Sequence, residues 1–267
     1  MTARPALDHR SARCVLASLL VCGAASCASG CEPDLVVGDW GCLDVATTLH
    51  EGPITVPWST SFETGFCDYA RVRGFCYAGG EASYTLVNSP VHSGDWAVAF
   101  TVDTTDSSAH ARCVIEGQFP STGSYSAWYL IPDAPINSGN WNLFFFRGGD
   151  LTMGHNLWDV SVESTDELEP RLYIYDQLED GLGIQKAEDP PLIPIGDWFR
   201  IEFYWKRADD RTGEVALYQD GELVFEFTGL RTDDTNWAQW YVGNLANRLM
   251  PRVSTVYVDD VEIRETR

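Results

Sequence analysis

The stretch Glu214-Val-Ala-Leu-Tyr-Gln-Asp220-Gly221-Glu-Leu-Val-Phe-Glu-Phe227 decides the fold class. Two apolar-rich runs flank Asp-Gly, a two-residue connection that joins antiparallel strands because both positions tolerate positive φ. Outward from this hairpin the same texture runs from Trp58 to Arg264. Short stretches rich in Val, Ile, Tyr, Phe and Trp alternate with Gly, Asp, Asn and Pro, and no long helical apolar period appears. Strands are expected at Ala82–Val87, Trp96–Val102, His110–Phe119, Ser124–Ile131, Trp141–Arg147, Asn156–Val162, Arg171–Tyr175, Trp198–Lys206, Gly213–Gln219, Glu222–Phe227, Trp240–Gly243 and Thr255–Arg264. At the two ends, Thr60-Ser-Phe-Glu63 and Val256-Tyr-Val-Asp-Asp-Val-Glu-Ile263 read as the first and last strands. The expectation is all-β: a two-sheet antiparallel β-sandwich over residues 58–267, one domain, acting as a monomer.

The first residues read as an export signal, with Arg4, Arg10 and Arg13 ahead of the apolar run from Cys14 to Ala25, too short for a membrane span. Ala24-Ala-Ser-Cys27 and Ala28-Ser-Gly-Cys31 resemble the small-residue box before the lipidated cysteine of bacterial lipoproteins, with Ala where that motif prefers Leu. Cys31 is preferred over Cys27 because it leaves an even set in the exported chain: Cys42, Cys67, Cys76 and Cys113. Three pairings are compatible with four cysteines. The Gly-containing stretch between Cys67 and Cys76 favours that pair, leaving Cys42 with Cys113. Residues 1–31 are then a leader and 32–57 a tether and covering segment, on a protein lipid-anchored at the outer surface or in the periplasm, or otherwise secreted.

The formal charge is −21, and the three Arg and one Asp of residues 1–31 contribute +2, which leaves the mature part near −23. So acidic a surface repels nucleic acid and anionic membranes, so membrane contact is expected only through the lipid. No Gly-x-Ser-x-Gly elbow, phosphate-binding Gly loop, His-Glu-x-x-His or Cys-x-x-Cys occurs, which removes most of the ground for serine-hydrolase, nucleotide and zinc chemistry.

Gly196-Asp-Trp-Phe-Arg-Ile-Glu-Phe203, Thr212-Gly-Glu-Val215 and Tyr218-Gln-Asp-Gly221 resemble the back half of concanavalin A-like jelly rolls, and Ser89-Pro-Val-His-Ser-Gly-Asp-Trp-Ala-Val98 resembles a segment of carbohydrate-binding β-sandwiches. This superfamily includes laminin G-like modules, lectin-like domains, polysaccharide lyases and glucanases. The resemblance implies a structural Ca²⁺ held by Glu63, the turn near Ser93 to Asp95, and Asp259 or Asp260. Uniform alternation puts Tyr257, Asp259, Val261 and Ile263 on one face and Val258, Asp260, Glu262 and Arg264 on the other, so Asp259 is expected to be the buried ligand. Two exposed acids guarding an edge strand are the alternative.

Alternation also groups polar side chains into rows: His110, Arg112, Glu116 and Gln118; Arg171, Tyr173, Tyr175 and Gln177; and Arg200, Glu202, Tyr204 and Lys206. On one concave sheet they form a groove whose aromatic faces pack on pyranose rings and whose guanidinium and amide groups bind hydroxyls or uronate carboxylates. The expected function is polysaccharide binding through Arg112, Gln118, Arg171, Tyr173, Tyr175, Gln177, Tyr204 and Lys206. The alternative is a polysaccharide lyase acting by β-elimination, with Arg112 and Gln118 on the uronate, Tyr173 or Tyr204 as base, and His110 or His155 assisting. A surface module that binds protein is a further alternative. Glycoside hydrolysis is less favoured: the Glu-x-Asp-x-x-Glu strand of the superfamily's glucanases is absent, and Glu163, Asp166, Glu167 and Glu169 read as loop. Of the Trp residues, Trp128, Trp141 and Trp158 are assigned with most others to the core, and Trp237 and Trp240 to a sugar platform beside Asp233-Asp-Thr-Asn236.

Overall fold

The computed structural model describes residues 52–165, 169–233 and 235–265. The leader, Cys27, Cys31, Cys42 and most of the tether lie outside the described residues, as do Asp166 and Glu167. Strands follow in the order β1 (Trp58–Thr60), β2 (Gly74–Gly79), β3 (Glu81–Val87), β4 (Ala97–Asp103), β5 (Ala109–Gly117) and β6 (Thr122–Leu130). Next come β7 (Ile136–Asn137), β8 (Trp141–Gly148), β9 (His155–Glu163), β10 (Arg171–Asp176), β11 (Gly183–Gln185) and β12 (Trp198–Lys206). The hairpin read from Asp220-Gly221 is β13 (Gly213–Gln219) with β14 (Glu222–Leu230), followed by β15 (Ala238–Ala246), β16 (Leu249–Met250) and β17 (Val253–Arg264). One four-residue helix, α1 (Cys67–Ala70), sits between β1 and β2.

The strands form an eight-stranded sheet in the order β14-β13-β12-β6-β17-β4-β3, with β1 also on β17, and a seven-stranded sheet in the order β11-β10-β9-β8-β15-β5-β2. β7 and β16 pair separately. The chain is thus a two-sheet antiparallel β-sandwich of jelly-roll type. Period-2 alternation drives the packing: Phe199, Ile201, Phe203 and Trp205 of β12 face Ala111, Cys113 and Ile115 of β5 and Phe144 and Phe146 of β8 in one core. Trp141, Trp158 and Trp205 are fully buried there, their indole N–H groups donating to Asn244 Oδ1 and, for the latter two, the Thr232 carbonyl. Trp240 is buried in the same core at 2% exposure, so it is a packing residue and not a sugar platform.

β17 departs from uniform alternation. Val256 and Val258 face the core, and so do Val261 and Ile263, because the register shifts between Asp259 and Glu262. Asp260 there has φ +44°. The bulge adds a residue and bends the strand, so β17 pairs with β4 through Val258 and with β1 from Val261 onward. The first strand also stops earlier than expected, at Thr60, where Phe62 turns to φ +59°.

The disulfide expectation is corrected. Cys76 bonds Cys113, its directly opposite partner between β2 and β5, and Cys67 is disulfide-bonded as well, so it is not the mate of Cys76. The stretch from Cys67 to Cys76 is α1 followed by a strand, not a hairpin. Removing the cross-strand bond with Cys76→Ala and Cys113→Ala together should cost about 2–5 kcal/mol. Denaturant unfolding, with the slope checked for two-state behaviour, measures that loss.

Candidate functional site

The outer face of the seven-stranded sheet is built from side chains that alternate away from the core. Across it one register line runs Phe75, Val114, Tyr241, Phe145, Asp159 and Tyr175. On one side of that line lie Tyr77 and Arg112, which are register partners, with Ser161 and Tyr173, also partners; on the other lie Glu116, Gln239, Arg147 and Asn156. Val114, Phe145 and Tyr241 form a small apolar cluster of their own with Phe75 and Tyr77 packed on it.

Arg112 is the centre of this face. Its guanidinium donates to the Tyr77 hydroxyl at 2.8 Å and lies 4.7 Å from the Tyr241 ring centre, 5.5 Å from Tyr77 and 5.6 Å from Phe145. Three rings around one cation are electrostatically favourable and fix its plane. The backbone makes room for it at Gly243, whose φ is +144° and where a Cβ would come within 2.4 Å of the Ala111 carbonyl and 2.8 Å of the Arg112 Cα. A glycine is required at that crossing.

Asp159 is buried, and burial pushes its carboxyl up to about 7, against the opposing pull of a Gln177 hydrogen bond and the Arg112 charge. Burial and Arg112 together push His110 down to about 4, so its imidazole is neutral at neutral pH; its ring meets Tyr77 edge-on at 5.3 Å. Burial also raises the Tyr173 phenol, over which Lys186 sits at 5.9 Å while pairing with Glu163. Buried polar atoms here, among them Arg112 Nε, Arg147 Nε, Arg171 Nε, Asn142 Oδ1 and Asp159 Oδ1, have no hydrogen-bond partner within the protein. Buried polar atoms are ordinarily satisfied, and such exceptions mark places where solvent or ligand completes the set.

Of the three rows read from the sequence, two share this face: His110, Arg112, Glu116 and Gln118 on β5 and its exit, and Arg171, Tyr173, Tyr175 and Gln177 on β10 and just beyond it. The third does not. Arg200, Glu202, Tyr204 and Lys206 lie on β12, in the other sheet, so Tyr204 and Lys206 cannot join Arg112. Strand alternation assigns a side chain to a face of its sheet but not to a sheet. Glu116 holds an ion pair with Arg73 at 2.8 Å and Gln118 bonds the covering segment through its carbonyl and Ile54 N–H, so both have structural work at the rim. His155 is exposed at the start of β9. Trp237, just before β15, carries the Arg73 guanidinium over its ring at 5.2 Å. Tyr77, Phe145, Tyr241, Arg147, Asn142 and Asp159 were not read from the sequence. Asp159, an acid inside the apolar run Leu157-Trp-Asp-Val160, was the available signal; Phe145 hides in an unbroken Phe144-Phe-Phe146 run.

The end-strand acids form a clasp on the turn from His92 to Trp96. Asp259 Oδ2 accepts the His92 and Ser93 N–H groups at 2.9 and 3.1 Å, and Glu63 Oε1 accepts those of Asp95 and Trp96 at 2.8 and 3.0 Å. Asp260 binds the His92 ring at 2.6 Å and the Ser93 hydroxyl at 2.8 Å. A Ca²⁺ takes six to eight oxygens. Here N–H groups face Asp259 and Glu63, and no group of three His, Cys, Asp or Glu able to hold a metal occurs among the described residues. The clasp is drawn together by these hydrogen bonds.

No protein-family model matches the chain, and no curated protein matches it. Solved structures do. An endo-β-1,4-glucuronan lyase from the fungus Trichoderma reesei superposes with TM-score 0.56 at 18% identity, covering 72% of this chain and 90% of that one. The alginate lyase Aly36B gives 0.53 at 14% identity, covering 80% and 99%. A PL-14 alginate lyase from Aplysia kurodai gives 0.53 at 12%, covering 77% and 97%. At these identities the likeness is one of fold.

Two predictions follow from the charges. Because the folded pKa of Asp159 is raised, the folded chain holds more protons than the unfolded one between about pH 4 and 7, so this residue's contribution to stability falls as pH rises through that window. Asp159→Asn should therefore gain melting temperature relative to the parent at pH 8 and gain little at pH 4; equal shifts at both would contradict the assignment. Asp259→Ala strands the amides of the clasp and should cost about 3 kcal/mol, with Asp259→Asn, which keeps one acceptor, losing less.

Proposed function

We propose that this is an exported, lipid-anchored polysaccharide-binding protein whose sugar chain lies across the outer face of the seven-stranded sheet. The observation that carries the reading is the set of exposed and part-exposed rings around Arg112, namely Phe75, Tyr77, Tyr173 and Tyr175, with the buried Tyr241 and Phe145 packed on its guanidinium and with Arg112 Nε, Arg147 Nε, Asn142 Oδ1 and Asp159 Oδ1 buried and unpartnered. Rings for pyranose faces and convergent polar atoms for hydroxyls are the composition of a sugar site. On a chain of charge −21 the same face gathers Arg112, Arg147 and Arg171, which favours uronate polymers over neutral ones. The disulfide between Cys76 and Cys113 suits an oxidising compartment. Affinity electrophoresis and calorimetry with alginate and glucuronan should show binding that Arg112→Ala weakens by about tenfold or more, with the melting temperature held. Failure of the parent to bind any uronate polymer would sink this reading.

A second reading, β-elimination, draws on Asp159 and Tyr173. Arg112 would neutralise the uronate carboxylate, and Asp159, titrating near 7, would take the proton α to it. The C4–O4 bond then breaks as the C4–C5 double bond forms, and Tyr173, which burial keeps protonated, would give its proton to the leaving oxygen. Unsaturated-uronate absorbance growing with time, and abolished in Asp159→Asn, supports lyase activity; binding with no absorbance leaves a binding protein. A structural Ca²⁺ at the Glu63–Asp259 clasp is a separate proposal. Excess EDTA should lower the melting temperature by several degrees if an ion sits there, and an unchanged temperature removes it.

A further inference from the structure

The eight-stranded sheet carries its own cleft, of about 380 Å³, between β1, β6, β12 and the bulged half of β17. Its walls include Ser59, Ser61, Ser126, Trp128, Arg200 and Arg264. We propose that this cleft is a second glycan site, which takes a neutral, hydroxyl-rich saccharide and works independently of the Arg112 face.

The ligand class follows from the charges. Arg200 pairs with Glu202 at 3.0 Å and donates to Ser126 Oγ at 2.9 Å; Arg264 pairs with Glu262; Asp260 is held by His92 and Ser93. Both guanidinium groups in the cleft are thus already matched by a carboxylate, and Asp260 is already hydrogen-bonded. A charged ligand has to break a pair, whereas a sugar diol can accept from a guanidinium N–H and donate to the adjoining carboxylate while both pairs persist. Serine hydroxyls along β1, its exit and β6 add groups that donate or accept as required.

The platform is Trp128. It is half-buried, and the His92 ring stacks on it at 3.8 Å with 17° between planes, while Trp198 meets His92 edge-on at 5.7 Å. His92 is in turn fixed by Asp260, a non-glycine residue at φ +44° whose strained backbone is retained by its two side-chain bonds. The indole is therefore immobilised before any ligand arrives, which reduces the entropy lost on binding. Two sites on opposite sheets let one chain hold two polymers, or two segments of one, with the avidity that linkage gives.

Calorimetry with cello-, laminari- and mannohexaose tests the proposal on the whole protein. The parent should bind at least one of them; Trp128→Ala should weaken that binding by about tenfold or more, and Arg112→Ala should leave it unchanged. If Trp128→Ala does not fold, Ser61→Trp, which fills the cleft from the loop after β1, decides by the same loss. No binding of any neutral hexasaccharide by the parent overturns the proposal. So does loss in Arg112→Ala with retention in Ser61→Trp. Failure of the uronate reading shows separately, as absent alginate and glucuronan binding with the hexasaccharide result intact.

Discussion

The fold hangs on one buried carboxylate. Asp259, fully buried in the middle of the longest strand, accepts backbone N–H groups from His92, Ser93 and its own neighbour Asp260. Burial, helped by the Asp260 charge, raises its pKa, and those N–H bonds pull the other way. Without them the acid would be an uncompensated polar group inside a sandwich. With them, the turn ahead of β4 is fastened to the last strand at the residue where that strand changes partner from β4 to β1. Glu63 completes the fastening from the first strand's side, against Gly94, where φ is +62° and a Cβ would strike the carboxylate at 2.2 Å. Sequence-distant ends are thereby joined by local, directional bonds.

The same device that closes the chain also shapes a surface. Because Asp259 turns inward, the bulge turns Asp260 outward, and Asp260 carries His92 onto Trp128. A strain cost in the backbone is thus converted into a fixed aromatic platform. On the opposite sheet the organising group is Arg112, and the logic differs: three rings, one of them also accepting through its hydroxyl, and a glycine gap hold one guanidinium in place.

Much of this was legible in the strands themselves. The Asp220-Gly221 hairpin follows from turn chemistry and the rows on β5 and β10 from period-2 alternation, both local; Asp259 is buried as expected, but through the bulge and not through alternation. What alternation does not carry is membership of a sheet, so the Arg200–Lys206 row went to the wrong one. Nor does it survive a bulge: Val258 and Val261 share the core face only because an extra residue separates their registers. The Cys76–Cys113 bond was hidden for a related reason, since β2 is short and follows a helix, and its pairing with β5 is a long-range event. Phe145 and Tyr241 were masked by apolar neighbours on both sides, where a strand covered on both faces loses its alternating signature.

The two faces divide chemistry by how their charges are closed. On the Arg112 face, cations meet rings and a carboxyl that titrates near neutrality, and polar atoms stay unmatched until something outside the chain arrives. On the Trp128 face every cation has its carboxylate beside it. An overall charge of −21 acts on both alike at long range, but it is screened within about a Debye length, so selectivity is decided by these contacts. Unclosed charge seeks a charged ligand, and closed charge tolerates only a neutral one. A single sandwich, polar on both outer sides, can in this way present two different specificities without a second domain.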